Sequence, residues 1–573
     1  METTTINIPK RPQRKFISEE LVVDSWSKIE TYFQDLLDRK IHSVIALERW
    51  MLDRSELEAV LEEEQAWRYI KMNIDTRDKE LGDAFSFWVK EISPNVAPYN
   101  YKLNLKLKEN PFYEDLDKEK YRIYLRGLDK AIEIYRDENI SLFTEMQTKQ
   151  QEYGAIAAKM TVDIDGETMT MQKAAQYLKS TNRAKREEVF AKVNERRIKD
   201  RDTLDKLFDE LIALRQKIAC NAGFDNYRDY KFAAMGRFDY APSDCYDFHA
   251  SIAQEITPIV HQIDQDRKDK MGLESYKPWD TLVDDSGKES LKPFKEGGEL
   301  IDKTIKCFHR LRPYFGECLE VMKAMNHLDL ESKEGKAPGG FNYPLYEIGV
   351  PFIYMNAVGS QRDLVTMVHE GGHAVHSFLS RELDLCEFKS VPSEVAELAS
   401  MAMELLSMET WDEFYTDEKE LKRAKREQLE KVLGGLPWIA AIDKFQHWIY
   451  TTEHTPEERR AEWANIMGLL GSSVIDWEGN ETAYLNQWQK QLHLYEVPFY
   501  YIEYGMAQLG AIAMWRSYKI HGEKALDNYT TALRLGYTKS ISELYQEAGI
   551  EFNFSQEYVK ELADFVKLEM AKI

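Results

Sequence analysis

Apolar residues recur every three or four positions from about Glu19 to Lys159, which predicts one amphipathic helix after another. SEELVVDSWSKIETYFQDLLDRKI and EKYRIYLRGLDKAIEIYRDENISLFTEMQTKQQEYGAIAAKM are examples, and Pro94, Pro98 and Pro111 punctuate the run. Between Lys159 and Met171 the period switches to two (KMTVDIDGETMTM), and Asp165-Gly166 is a two-residue hairpin signal between alternating residues. Helices resume at Gln172. A long one is predicted over Arg183–Ala222, another runs to about Met271 after a break at Gly236 and Pro242, and a third covers Glu299–Asn326. Lys277–Gly298 is the weakest helix former and reads as an irregular connection. After a Gly- and Pro-rich stretch, KEGKAPGGFNYP, the apolar run Val350–Met355 reads as a short strand. It either sits at a sheet edge, where a peptide can add as a further strand, or is an ordinary core strand.

The strand leads into SQRDLVTMVHEGGHAVHSFLSREL, residues 360–383, around which the rest of the chain is arranged. Ser360 and Asp363 form an acidic variant of a capping box. His369 and His373 stand four apart in an HExxH motif, so both imidazoles project from one helix face and can share a small cation. Glu370 lies about 100° around the helix, placed to reach a water on that cation rather than the cation itself. That is the zinc-peptidase arrangement of two ligands and one general base. Arg362, Thr366, His369, His373, His376 and Ser380 fall on one stripe, poorer in Lys and Glu than a solvated face. Gly371 and Gly372 weaken the helix interior and imply that another backbone or a ligand approaches closely.

Zinc needs a third protein ligand and an open position. His376 is nearest in sequence, but Cα atoms seven apart on a helix are about 10.5 Å apart along the axis. One ion would strain to accept all three histidines, so His376 is assigned a supporting or cleft-lining role. The next helix, VPSEVAELASMAMELL, carries Glu394, Glu397 and Glu404 on one side among alanines and methionines. Glu397 is the expected ligand, with Glu394 or Glu404 available to orient an imidazole.

Composition narrows the function without changing this picture. The 573 residues exceed one ordinary core and suit two or three packed lobes. A net charge of −23 argues against nucleic acid or an anionic membrane as partner. Five scattered cysteines with no CxxC spacing read as reduced thiols of a cytoplasmic protein. The basic N-terminus lacks an apolar segment behind it, and no run of eighteen apolar residues occurs, so neither a signal peptide nor a membrane span is expected.

HEGGHAVHSFL followed by PSEVAELASMAMELL closely resembles the oligoendopeptidase F branch of the thimet oligopeptidase family of zinc peptidases. The family's ExxS-type motif corresponds to Glu397-Leu398-Ala399-Ser400, and PFIYMNAVGSQRDLVT resembles its lead-in to the metal helix. A third stretch, HLYEVPFYYIEYGMAQLGA at 493–511, resembles the segment that contacts substrate and oxyanion, which carries those roles to His493, Tyr500, Tyr501 and Tyr504. Read from the residues alone, the three tyrosines fall within one helical turn that Pro498 would start, and they also suit a core. The resemblance implies a mainly α, two-lobed, clam-like body with a deep central channel and a small β-sheet beside the HExxH helix. It divides into a helical N-terminal lobe, residues 1–190 with the hairpin near 160–171, and a zinc-peptidase catalytic domain, 191–573. The implied activity is a metalloendopeptidase with one Zn2+ that cuts short unfolded oligopeptides. A zinc carboxypeptidase and a non-catalytic peptide-binding protein are the competing readings. Nothing in the sequence sets an oligomeric state.

Overall fold

The structure, a computed structural model, describes residues 6–573. Among these residues helices dominate, and five short strands form a two-stranded and a three-stranded sheet. The chain divides into two compact units, each made of three segments. The first takes residues up to Ile132, Lys292–Lys422 and Gly510–Phe552; the second takes Glu133–Leu291, Arg423–Leu509 and Asn553–Ile573. Helices far apart in sequence therefore complete each unit. Among the described residues, no helix is long and apolar enough to cross a membrane.

In the second unit, β1 (Thr161–Ile164) and β2 (Glu167–Thr170) form the expected hairpin, pairing Ile164 with Glu167. Asp165 at φ 54° and Gly166 at φ 81° supply the two left-handed residues that a tight hairpin turn requires. The long helix expected over Arg183–Ala222 is two, Arg183–Lys199 and Arg201–Asn221, broken at Asp200. Likewise Glu299–Asn326 is two helices, Gly297–Leu311 and Pro313–Ala324, because Pro313 cannot continue the ladder and serves as a first helical residue. The connection is irregular over 277–296 apart from one 3-10 turn, as its composition predicts, and the next helix opens at Gly297.

The first unit holds the three-stranded sheet. β3 (Leu328–Glu331) pairs parallel with β5 (Phe352–Ala357), and β4 (Phe341–Tyr343) pairs antiparallel with its other side. β5 is thus the central strand, with both ladders occupied, and cannot receive a peptide as an added strand. Its unbroken apolar run, FIYM, fits a strand covered on both faces, which carries no polar alternation. Of the strands packed on the HExxH helix, β4 is the one at the sheet edge.

Gln361–Ser380 forms that helix. Ser360 Oγ accepts from the Asp363 N–H at 3.3 Å, and Asp363 Oδ2 accepts from the Ser360 N–H at 2.9 Å, so the capping box is reciprocal. The helix is covered almost all round; its accessible stripe holds Arg362, Thr366, His369 and His373. His376 and Ser380, expected on that stripe, are buried instead. His376 has the backbone of Leu533 as its polar neighbour, and burial pushes its pKa down to about 3.

Candidate metal centre and aromatic cluster

The Gln361–Ser380 and Ser393–Leu406 helices pack closely along one another, and Gly372 is the reason they come so close. A Cβ on Gly372 would stand 2.6 Å from the Ala399 carbonyl oxygen and 2.7 Å from Ser400 Cα, so only glycine admits the second backbone. The close packing expected at this pair of glycines is therefore real. Gly371 meets a different obstacle, the Phe308 ring, at 2.7 Å.

This contact sets Glu397 against the two histidines. Glu397 Oε2 lies 3.3 Å from His369 Nε2 and 3.7 Å from His373 Nε2. Donors held at about 2.0–2.1 Å around one tetrahedral ion are themselves about 3.3–3.4 Å apart. The three ligand atoms all lie within 4.8 Å of one another, so they fit a single zinc ion with little adjustment. Glu404 Oε1 accepts from His369 Nδ1 at 2.7 Å. A carboxylate only accepts, so the Nδ1–H points at Glu404 and Nε2 is turned toward Glu397. Glu404 is thus the acid that orients the His369 imidazole; the backbone carbonyl of Glu394 accepts from the Tyr545 hydroxyl.

Ser400, given no role in the sequence reading, donates to Glu397 Oε2 at 2.9 Å and fixes the carboxylate from one turn along. Asn342 on β4 donates to the Glu370 backbone carbonyl at 3.1 Å, tying the edge strand to the motif.

Electrostatics follow from burial and these contacts. Burial draws His369 down, but hydrogen bonds to Glu397 and Glu404 outweigh it and hold its pKa well above the ordinary imidazole value. Burial raises Glu397, yet the bond to His369, the charge of His373 and Ser400 bring it down to about 2. Burial lowers His373 to about 4 and raises Glu370 to about 7. The positive charge favoured on His369 beside the Glu397 carboxylate marks a position that a metal cation can take over.

The second unit gathers the other sequence candidates. His493 has its ring centroid 4.8 Å from Tyr501, 6.0 Å from Tyr504 and 6.1 Å from Tyr500. Tyr500–Tyr504 and Tyr501–Tyr504 follow at 5.3 Å and 5.6 Å. All four are partly exposed, whereas Ile502, Gly505 and Met506 between and beyond them are buried, so the tyrosines are not core. Pro498 does not start their helix. Phe499 intervenes at φ 68°, a conformation rarely adopted by a bulky aromatic residue, and the helix opens at Tyr501. The strained backbone is held on both sides: its N–H donates to Gln446 Oε1 at 2.6 Å, and its carbonyl accepts from Arg237. Arg237 also pairs with Glu503 at 2.8 Å. Arg237 lies too far away in sequence for any local pattern to reveal this brace.

Burial lowers His493 to about 4 from the ordinary 6.5. Between those values an unfolded chain takes up a proton that the folded one refuses, so this residue's contribution to stability falls as pH falls from about 6.5 to about 4. His493→Gln should flatten that part of the stability–pH curve, measured by urea unfolding at stepped pH. An unchanged slope would contradict the burial of a neutral imidazole.

The sequence profile of peptidase family M3 matches residues 176–564, and that of the peptidase M3 N-terminal domain matches 16–135. The chain belongs to peptidase family M3. Within the family, it is 24% identical over 347 residues to oligoendopeptidase F, chromosomal, of Lactococcus lactis subsp. cremoris, covering 59% of this chain and 56% of that protein. It is 25% identical over 386 residues to oligopeptidase PepF of Bacillus subtilis (strain 168), covering 65% and 55%. The matched stretch is therefore little more than half of each relative. Among solved structures, PZ peptidase A with inhibitor 2 superposes with a TM-score of 0.90 at 24% identity, covering 98% of this chain and 99% of that one. Oligoendopeptidase-F from Enterococcus faecium gives 0.65 at 15%, covering 95% and 96%. At such identities the M3 fold is what is shared.

Proposed function

We propose that the chain is a zinc-dependent endopeptidase that hydrolyses internal bonds of short, unfolded oligopeptides. The observation that carries this is the convergence of His369 Nε2, His373 Nε2 and Glu397 Oε2 beside the buried acid Glu370. A zinc ion held by these three atoms supplies Lewis acidity and a way to make a strong nucleophile from water near neutral pH. Glu370 is the proposed base: its carboxylate takes the proton of the attacking water and passes it to the leaving amine. Glu404 keeps the His369 tautomer, and Ser400 keeps the Glu397 rotamer. For His493, Tyr500, Tyr501 and Tyr504 the proposed role is hydrogen-bond donation to the substrate and its developing oxyanion, and it rests on the resemblance of the 493–511 stretch. An extended peptide would pair with the edge of β4, since β5 has no open side.

The test is mass spectrometry of products from a mixed-length peptide library, with and without chelator. Paired internal fragments that vanish with chelator are expected. Release of single C-terminal residues would indicate a carboxypeptidase, and no cleavage at all would indicate a binding protein. Glu404→Gln should weaken zinc binding by about 10–100-fold in chelator competition, whereas His376→Ala should leave it unchanged. The reverse pattern would reassign these supporting roles.

A further inference from the structure

A second cluster of metal-ligating side chains lies within the second unit, on helices to which the sequence reading gave no chemistry. Cys245 and His249 stand four apart on Pro242–Ser251, and Asp443 and His447 stand four apart on Glu418–Thr451. Each pair therefore projects from one face of its helix. All four side chains are buried: Cys245 0%, Asp443 0%, His249 2% and His447 3% exposed. One ligand atom each from Cys245, Asp443 and His447 lies within 4.8 Å of the others.

The polar atoms there are poorly served by the protein itself. Asp443 Oδ2 accepts from His249 Nε2 at 2.8 Å. His447 Nε2 lies 3.2 Å from the same oxygen but out of line for a hydrogen bond. That leaves four fully buried atoms without a hydrogen-bond partner: Asp443 Oδ1, His249 Nδ1 and both ring nitrogens of His447. Buried polar atoms are almost always satisfied, and several orphans in one place call for a missing partner. Among the described residues, the ion pairs of Asp443 are to imidazoles alone. A thiol, an imidazole and a carboxylate together form a donor set suited to a borderline-soft divalent ion.

We propose that Cys245, Asp443 and His447 bind a second divalent cation of the zinc class, with His249 orienting the Asp443 carboxylate through its Nε2–H. The cation is structural. It is enclosed and pins the Pro242–Ser251 helix to the Glu418–Thr451 helix. The His447 ring also packs on the strained Phe499 at 5.4 Å between centroids, directly before Tyr500. Binding deprotonates the thiol, and the released proton passes to solvent.

The experiment uses the full chain, expressed in cobalt-supplemented medium so that a buried site is filled during folding. Cysteine ligation to Co2+ gives a thiolate-to-metal charge-transfer band in the near ultraviolet, which a His, His, Glu centre cannot produce. Among the described residues, no other cysteine stands in such a cluster. The expected result is that band in the wild-type chain with two ions per chain by metal analysis. The band should survive in His373→Ala and be lost, with one ion, in Cys245→Ser. His447→Gln, which keeps the thiol, should weaken or remove it and serves where Cys245→Ser does not fold. A wild-type chain with one ion, no band, and loss of that ion in His373→Ala overturns this inference while leaving the proposed function intact. One ion with the band, retained in His373→Ala, upholds it and removes the support for the HExxH site. A band that persists in folded Cys245→Ser also overturns it.

Discussion

Glu370→Gln is expected to lower kcat/KM on a quenched peptide of about ten residues by about 10²–10⁴-fold, the range associated with a positioned general base, while zinc content stays at the wild-type level. The side chain keeps its size and place, and neither His369, His373 nor Glu397 changes its contacts. Only the capacity to carry a proton is removed. Glu370 is 6% exposed, so bulk water is poorly placed to substitute for it. Near wild-type turnover with full zinc would show that another group is the base, and loss of zinc with activity would show that Glu370 supports the metal instead.

Gly372→Ala is the second large effect. The added methyl must push back the Ala399 carbonyl and Ser400 Cα, both backbone atoms of the helix that carries Glu397. Overpacking of this kind costs about 1–3 kcal/mol, and here the displaced element also holds the third ligand. A lowered Tm and a clear loss of zinc occupancy are expected together. Gly371→Ala is the informative companion: its methyl meets the Phe308 ring, a side chain rather than the backbone that carries Glu397. It should cost stability with little effect on zinc. Equal zinc loss in both variants would mean that helix disruption in general, rather than the 372–399 contact, governs the site.

The helical third before the hairpin, the hairpin itself and the capped HExxH helix were legible because each depends on contacts within a few residues. Asp165-Gly166 dictates its turn, and Ser360 with Asp363 dictates its cap. Glu397 was also legible, since an acid on an otherwise apolar helix has no packing purpose. Neighbours decided what the local pattern left open. Val350–Met355 reads as a strand, but only its pairing with Leu328–Glu331 and Phe341–Tyr343 makes it central. The stripe containing His376 follows from helical periodicity, but the cover provided by the Leu533 region buries it.

By itself the sequence determined the mainly helical class and the family, and it put His369 and His373 on one helix face, because motif spacing on a helix fixes which side chains share a face. Tertiary structure alone decided that Glu404 supports His369, and that Ser400 holds Glu397. It alone showed that Arg237 and Gln446 brace a left-handed Phe499, and that Cys245 meets Asp443 and His447. Each of these joins atoms across helix contacts or long stretches of chain, where complementary surfaces and not local spacing determine which groups meet.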